Sequence, residues 1–129
     1  KTDSTGKYAA MYKPYHLIGL ELGISVASIA VRGEATGATG DWKGDVVATA
    51  KRTLKAGEKL DGEGGFTVYG KLMTAADSLK LGALPIGLAH NMILNKDIPA
   101  GKPVCWSDVN YDATQQAIQF RREMEKVFA

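Results

Sequence analysis

Leu84-Pro85-Ile86-Gly87-Leu88-Ala89-His90-Asn91-Met92-Ile93-Leu94-Asn95-Lys96-Asp97-Ile98-Pro99-Ala100-Gly101-Lys102-Pro103-Val104-Cys105-Trp106-Ser107-Asp108-Val109 is the stretch that decides the fold. An apolar run passes into a polar step, turns at Pro99-Ala100-Gly101, and returns as a second apolar run closed by Ser107-Asp108. A looser copy stands earlier, from Val46 to Leu60. Setting Gly57 on Gly101 aligns Leu54 with Ile98, Ala56 with Ala100 and Leu60 with Val104. Glycine in such a turn supplies positive φ at no steric cost. Two β-turn-β units predict one small β domain built twice, with Leu54 and Ile98 inside a single core.

Around the copies the pattern fills in. Asp45 to Lys51 is apolar and β-branched enough for a strand, and Lys59 to Asp61 leads into a loop, Gly62-Glu63-Gly64-Gly65. Phe66 to Gly70 reads as a strand, which makes the glycine loop a hairpin connection. Thr74 to Leu81 has helical spacing, with Thr74 or Ser78 as cap and Ala75, Leu79 and Ala76 inward. Leu84 to Ala89 reads as short strands bent at Pro85 and Gly87. Pro103 has no backbone donor and belongs at a strand start or edge. Asp112, with Gln115 three residues on, resembles a capping box and opens a last helix. Ala117, Ile118, Met124, Val127 and Phe128 mark its apolar face, with Arg121, Arg122, Glu123, Glu125 and Lys126 largely around it.

Tyr8 to Val31 is helical in tendency, with Pro14 suited to a first turn. Leu17, Leu20 and Ile24 lie at helical spacing, and Gly19 and Gly23 predict a break near Gly23, with Ser25 capping a second short helix. Gly33, Gly37, Gly40 and Gly44 then punctuate a linker. The expected organisation is a helical segment over 1–33, a Gly-rich linker over 34–44, a β domain over 45–111 and a C-terminal helix over 112–129. Lys1 to Lys7 is a polar lead-in, and a chain starting on lysine is expected to be a piece of a larger protein.

At 129 residues, with 45% hydrophobic and 23% charged side chains, the composition is that of a globular domain. Its net charge of +2 arises from 16 basic and 14 acidic residues without a basic stripe, so nucleic acid is not an expected partner. No apolar run reaches the ~18 residues of a membrane span. Nor is there a signal peptide, and the cytoplasm is the expected location. Cys105 is the sole cysteine, which rules out an internal disulfide and predicts a small buried hydrophobe.

Candidate chemistry is sparse. Gly62, Gly64 and Gly65 lack the following helix that a phosphate cradle needs, and Gly37-Ala38-Thr39-Gly40 lacks the full dinucleotide fingerprint. Asp97, Asp108 and Asp112 could serve as hard-metal ligands, but a turn, a serine step and a helix cap explain them. His16 and His90 are the two histidines, the residue type most used as an acid–base group. His90 is read as structural or exposed. His16 draws more attention, because Tyr12, Tyr15 and Glu21 cluster with it at a helix start. Counting helical turns from Pro14 sets Glu21 against Leu17 rather than His16, so spacing does not force an acid–base pair. Tyr15, His16 and Glu21 are the candidate catalytic residues, in a site to be completed by other chain.

Residues 45 to 110 resemble the SAF domain, the family named for sialic acid synthase, antifreeze protein and the flagellar P-ring chaperone. The carrying residues are Val46 to Glu58, Leu84 to Ala89, Asn95 to Gly101 and Ser107-Asp108-Val109. The resemblance implies a β-clip, so the expected fold class is mainly β with flanking helices. The leading segment, Met11-Tyr12-Lys13-Pro14-Tyr15-His16-Leu17 with Glu21 and Ser25-Val26-Ala27, is similar to the end of the catalytic domain in NAD(P)-dependent oxidoreductases related to homoserine dehydrogenase. That group includes deoxyxylulose-phosphate reductoisomerase-like enzymes of isoprenoid precursor synthesis. The resemblance implies a C-terminal accessory domain that braces a catalytic core or a homo-oligomer. Its partners would be upstream Rossmann and catalytic domains and further copies in a homo-oligomer, with no membrane partner, and NADPH or NADH would be bound by the parent rather than by this chain. The chain alone is not expected to be an enzyme. The rival readings are a carbohydrate-binding module, a secretion chaperone and the accessory domain of a sugar-acid dehydratase. A flat sugar-binding face would expose regularly spaced Thr and Asn, and Thr36, Thr39, Thr49 and Thr53 are scattered.

Overall fold

Three buried residues distant in sequence close the centre of the β domain. Ala48 N–H donates to Leu84 O, Leu84 N–H to Val104 O, and Val104 N–H to Ala48 O, each at 2.8 Å. All three are fully buried, so each backbone pair buried there is satisfied within the ring. The computed structural model describes residues 2–38 and 40–128 and divides into two compact units, Lys1–Thr39 and Gly40–Ala129.

The second unit contains β1 (Gly44–Ala50), β2 (Lys59–Asp61), β3 (Val68–Thr74), α2 (Ala75–Leu81), β4 (His90–Leu94), β5 (Val109–Asn110) and α3 (Gln116–Val127), with 3-10 turns at Ile86–Leu88 and Trp106–Asp108. The first contains α1 (Ile18–Ala27), prolonged by a π-helical turn over Ser28–Arg32. β1 pairs antiparallel with β3, and β4 lies between β2 and β5 in a second antiparallel sheet. This is the mainly-β core with flanking helices that the sequence predicts.

The internal repeat is visible in the hydrogen bonds. Leu54 N–H donates to Ile98 O and Ile98 N–H returns a bond to Leu54 O. Gly57 N–H donates to Leu94 O and Gly101 N–H to Ala50 O; Leu94 N–H donates to Glu58 O and Ala50 N–H to Lys102 O. The spacing that aligns Gly57 with Gly101 maps each bond of one copy onto its counterpart in the other. Both glycines stand at positive φ, +86° and +75°, where a Cβ would be strained. Leu54 and Ile98 lie in one core with Leu60, Val68, Leu84, Leu94 and Val104. Pro103 faces Thr49 across an isolated bridge, and the bonds around it use Lys102 O and Val104 N–H. The proline therefore sits at a ladder position that requires no donor.

Several local expectations are corrected. The glycine loop is not a hairpin, because β2 pairs with β4 and β3 with β1, and residues 62–67 cross from one sheet to the other. The strand after it begins at Val68; Phe66 is outside and highly exposed. Ile86–Leu88 is a 3-10 turn rather than strand. In α2 the cap is Thr74, whose hydroxyl accepts from Asp77 N–H at 3.1 Å, and the inward residues are Ala75 and Ser78 with Leu79 half-buried beside them, while Ala76 is exposed. Asp112 does not cap α3. It accepts from Thr114 N–H at 2.8 Å in a turn of its own, and α3 starts after Gln115.

In the first unit α1 runs unbroken through Gly23, Ser25 lies mid-helix, and Pro14 sits in a bend ahead of the helix. A single glycine costs a helix only ~1 kcal/mol relative to alanine, which the neighbouring turns absorb. No residue of α1 or of its π-helical extension is buried. Among the described residues no helix is long and apolar enough to cross a membrane. The expected 34–44 linker includes Thr39, which lies outside the described residues, as does Lys1 of the lead-in.

Candidate functional site

The candidate residues of the first unit do come together. Glu21 is in the opening turn of α1, and residues 13–17 bend back over it instead of continuing the helix. That bend is why counting turns from Pro14 failed to pair His16 with Glu21. His16 Nδ1 lies 2.7 Å from Glu21 Oε2. Glu21 Oε1 is bonded by the Lys13 ammonium and by Leu17 N–H, the latter at 3.3 Å. Lys13 Nζ also lies 5.8 Å from the centre of the Tyr15 ring. The Lys13 hydrogen bond holds the Glu21 carboxyl below its ordinary value, opposed by partial desolvation and helped by Leu17 N–H and His16. A carboxylate only accepts, so His16 carries its proton on Nδ1 and turns Nε2 away.

This arrangement can hold an imidazole in one tautomer beside a fixed carboxylate. It is open to water, with the His16 side chain 72% exposed, and Glu21 also satisfies a backbone donor at the start of α1. An open groove of about 740 Å³ lies farther along the same unit, lined by Ile24, Ala27, Ser28, Val31, Arg32 and Thr36. Ser28 Oγ donates to Glu34 O at 2.9 Å across it.

In the second unit the glycine loop surrounds an anion supplied by the chain. Asp61 accepts from Phe66 N–H at 2.5 Å and Thr67 N–H at 3.0 Å, and also from the Thr67 hydroxyl. The Thr67 hydroxyl foremost, against partial desolvation and with the two N–H groups, brings the carboxyl down to about 2. A Cβ on Gly65 would fall 2.2 Å from the Asp61 carboxyl carbon, and one on Gly62 would fall 2.3 Å from the His90 ring. The glycines thus let backbone close on Asp61 and His90, leaving no cradle for phosphate. His90 is exposed, with Glu63 N–H 3.4 Å from its Nε2. Asn91 at φ +60° takes up the bulge between β2 and β4.

The other aspartates are equally committed. Asp97 accepts from Ala56 N–H at 2.9 Å and pairs with Lys55 at 2.7 Å. Asp108 is buried and accepts from Cys105 N–H at 2.9 Å while pairing with Lys96 at 2.6 Å. Among the described residues no group of three or more His, Cys, Asp or Glu side chains could hold a metal ion. Cys105 is half-buried rather than fully buried, and burial, then the nearby Asp108 charge, pushes its thiol up. That is opposite to what a nucleophile needs.

The most consequential polar contact was missed from sequence. Arg121 on α3 bonds Asp45 of β1 through both terminal nitrogens, at 3.0 and 2.6 Å, and Ser78 Oγ donates to the same carboxylate at 2.5 Å. Arg121 also bonds Glu125 at 2.9 Å and stacks 4.5 Å from the Trp42 ring. Burial pushes the Asp45 carboxyl up, and the Arg121 and Ser78 hydrogen bonds more than offset it, so it stays below its ordinary value. The inward stripe of α3 is therefore Ile118, Arg121, Met124 and Glu125, while Ala117, Val127 and Phe128 are exposed. The available signal was that Arg121 stands one turn beyond Ile118, on the same face.

Beside this contact lies an open groove of about 500 Å³ lined by Lys80, Gly82, Trp106, Ser107, Tyr111 and Arg122. Trp106 meets Tyr111 edge-on at 5.0 Å and lies under the Arg122 guanidinium at 5.1 Å. Comparison with curated proteins returns no match. The family profile described as the SAF domain matches residues 45–110, just over half the chain and the whole span of the paired turns. With its repeated Leu54 and Ile98 turns and the Ala48–Leu84–Val104 ring inside that span, this chain belongs to the SAF domain family.

Proposed function

We propose that this chain is the C-terminal accessory part of an NAD(P)-dependent oxidoreductase related to homoserine dehydrogenase, in the group that includes deoxyxylulose-phosphate reductoisomerase-like enzymes. Its SAF domain braces the catalytic core, and α1 lies against the catalytic domain. As a SAF domain it is an accessory or ligand-binding module, and the parent's hydride transfer belongs to other domains. The observation that carries the reading is the exposure of α1. Leu20, Leu22, Ile24 and Val26 are 72, 64, 67 and 59% exposed, in the segment that resembles the end of a catalytic domain. Leu20 and Ile24 lie on one side of the helix and Leu22 and Val26 on the other, so α1 is apolar all round, the pattern of a helix that is covered by other chain.

In that setting His16, held by Glu21 and with its side chain 72% exposed, is positioned to reach a neighbouring domain. The carbohydrate-binding alternative has less support. Thr49 is fully buried, Thr36 bonds Ser25 in the other unit at 3.3 Å, and Thr39 lies outside the described residues.

The test is calorimetric titration with NADPH and NADH. The chain alone should give no heat of binding, having no complete glycine fingerprint joined to a strand and helix. The full natural polypeptide should bind a nicotinamide cofactor at one site and show nicotinamide-dependent turnover. A full polypeptide without either property would overturn the reading, and so would micromolar binding by the chain itself.

A further inference from the structure

β3 is an outer strand with an unpaired side. Ala48 of β1 commits both backbone groups away from β3, to Leu84 and Val104, and Ala50 commits its own to Lys102 and Gly101. The β1–β3 ladder bonds consequently fall on Thr49–Tyr69, Val47–Lys71 and Asp45–Met73. The flanking bonds, Lys51 N–H to Thr67 O and Ala75 N–H to Lys43 O, keep the same alternation. The N–H and C=O groups of Gly70 and Leu72, and the N–H of Thr74, then face the opposite edge. Among the described residues no strand pairs with them, since the sheet contains only β1 and β3. Leu72 is 72% exposed, and an open concavity of about 440 Å³ lined by Lys43, Gly44, Leu72, Met73 and Thr74 runs beside it.

Unpaired donors and acceptors in a row are a template for an extended strand. We propose that the occupant is the same edge of a second copy, antiparallel, with a two-fold axis at Leu72. The strand's own sequence selects this register. An axis at Lys71 would set two lysines directly opposite, which is destabilising. An axis at Gly70 would call on Val68, which is fully buried. An axis at Met73 or Thr74 would set Gly70 against α2, which starts at Ala75. At Leu72 the axis pairs Leu72 with its equivalent, Gly70 with Thr74, and Lys71 with Met73. The unpaired backbone groups then meet with no like charges opposed and an apolar centre. Such an interface is smaller than the ~1,600 Å² of standard complexes, so the dimer is weak and concentration-dependent. The inference stands on the strand edge and not on the oxidoreductase reading.

Sedimentation equilibrium of the whole chain over a wide concentration range tests it, with Leu72→Lys and Leu20→Asp as paired variants. The expected result is a reversible dimer, weakened about tenfold or more by Leu72→Lys and retained by Leu20→Asp, with unchanged circular dichroism for both. Leu72→Cys gives an independent readout. Cα atoms of a hydrogen-bonded antiparallel pair lie ~5.5 Å apart, within disulfide range. Under mild oxidation Leu72→Cys should crosslink well above the unmodified chain, whose Cys105 sets the background, while Lys71→Cys should not. A chain monomeric throughout, a dimer indifferent to Leu72→Lys, loss of the dimer in Leu20→Asp, or equal crosslinking at positions 71 and 72 would each overturn the proposal.

Discussion

Leu54 and Ile98 exchange two backbone hydrogen bonds, 2.8 Å in one direction and 2.9 Å in the other, at the point where the two halves of the SAF domain meet. Each is buried, at 0 and 3% exposure, and each precedes a turn closed by a positive-φ glycine. The repeat thus does more than duplicate a turn, since each copy supplies the partner that the other copy's strand needs.

Truncating either residue should be costly and nearly symmetrical. Leu54→Ala and Ile98→Ala are expected to lower unfolding free energy by ~2–5 kcal/mol each, read from urea denaturation. Because the two side chains share a core, the double variant should depart from additivity. A loss below ~1 kcal/mol for either would contradict their place in one core.

The Arg121–Asp45 contact should behave as a buried pair rather than a surface ornament, with side-chain exposures of 11 and 6%. Arg121→Met leaves the Asp45 carboxylate without its main partner and should cost ~3–5 kcal/mol. Adding Asp45→Asn, which removes the stranded charge, should recover part of that loss. The Asp45 carboxyl is held below its ordinary value in the folded state. Its stabilisation is therefore complete above the unfolded carboxylate pKa of ~3.9 and disappears as pH falls through the lower folded value. Thermal unfolding of the wild type and of Asp45→Asn on the acid side of pH 5 checks the sign: the variant should lose less stability on acidification.

Asp61 offers a second acid-side test. With its folded value near 2 and an unfolded value of ~3.9, its contribution should fade between those limits as pH drops. Asp61→Asn should flatten that part of the stability profile. Hydrogen exchange at the Phe66 and Thr67 amides should also quicken, because their acceptor is weakened. Unchanged protection of both amides would show that Asp61 does not organise the loop.

The exposed apolar side chains of α1 predict a solution property that is simple to measure. The chain should bind a hydrophobic fluorescent dye and form assemblies beyond the dimer at high concentration, and Leu20→Asp should reduce both. Light scattering that is identical for the two proteins would show that the α1 surface is not an interaction face.

Sequence alone determined the repeated turn, the mainly-β core, the core membership of Leu54 and Ile98, and the helix after Thr74. These features depend on neighbours in the chain: apolar alternation, a glycine where φ is positive, a hydroxyl three residues before an amide. The segment 45–110 could be related to its family for the same reason. Tertiary structure decided which strands pair, and so made the Gly62–Gly65 loop a crossing between sheets instead of a hairpin. It also decided where the long polar side chains go. Charge assigned Arg121 to the surroundings of the apolar stripe of α3, but a buried carboxylate on β1, itself held by a hydroxyl on α2, outweighs the preference of a guanidinium for water. His16 and Glu21 show the same principle over a shorter distance. Helical counting separates them, and the bend through Pro14 to Leu17 brings them to 2.7 Å, with the ring nitrogen and Lys13 sharing one carboxylate. Contacts between residues close in sequence follow local preference, whereas contacts across the fold are chosen by the burial and charge of partners that local preference does not specify.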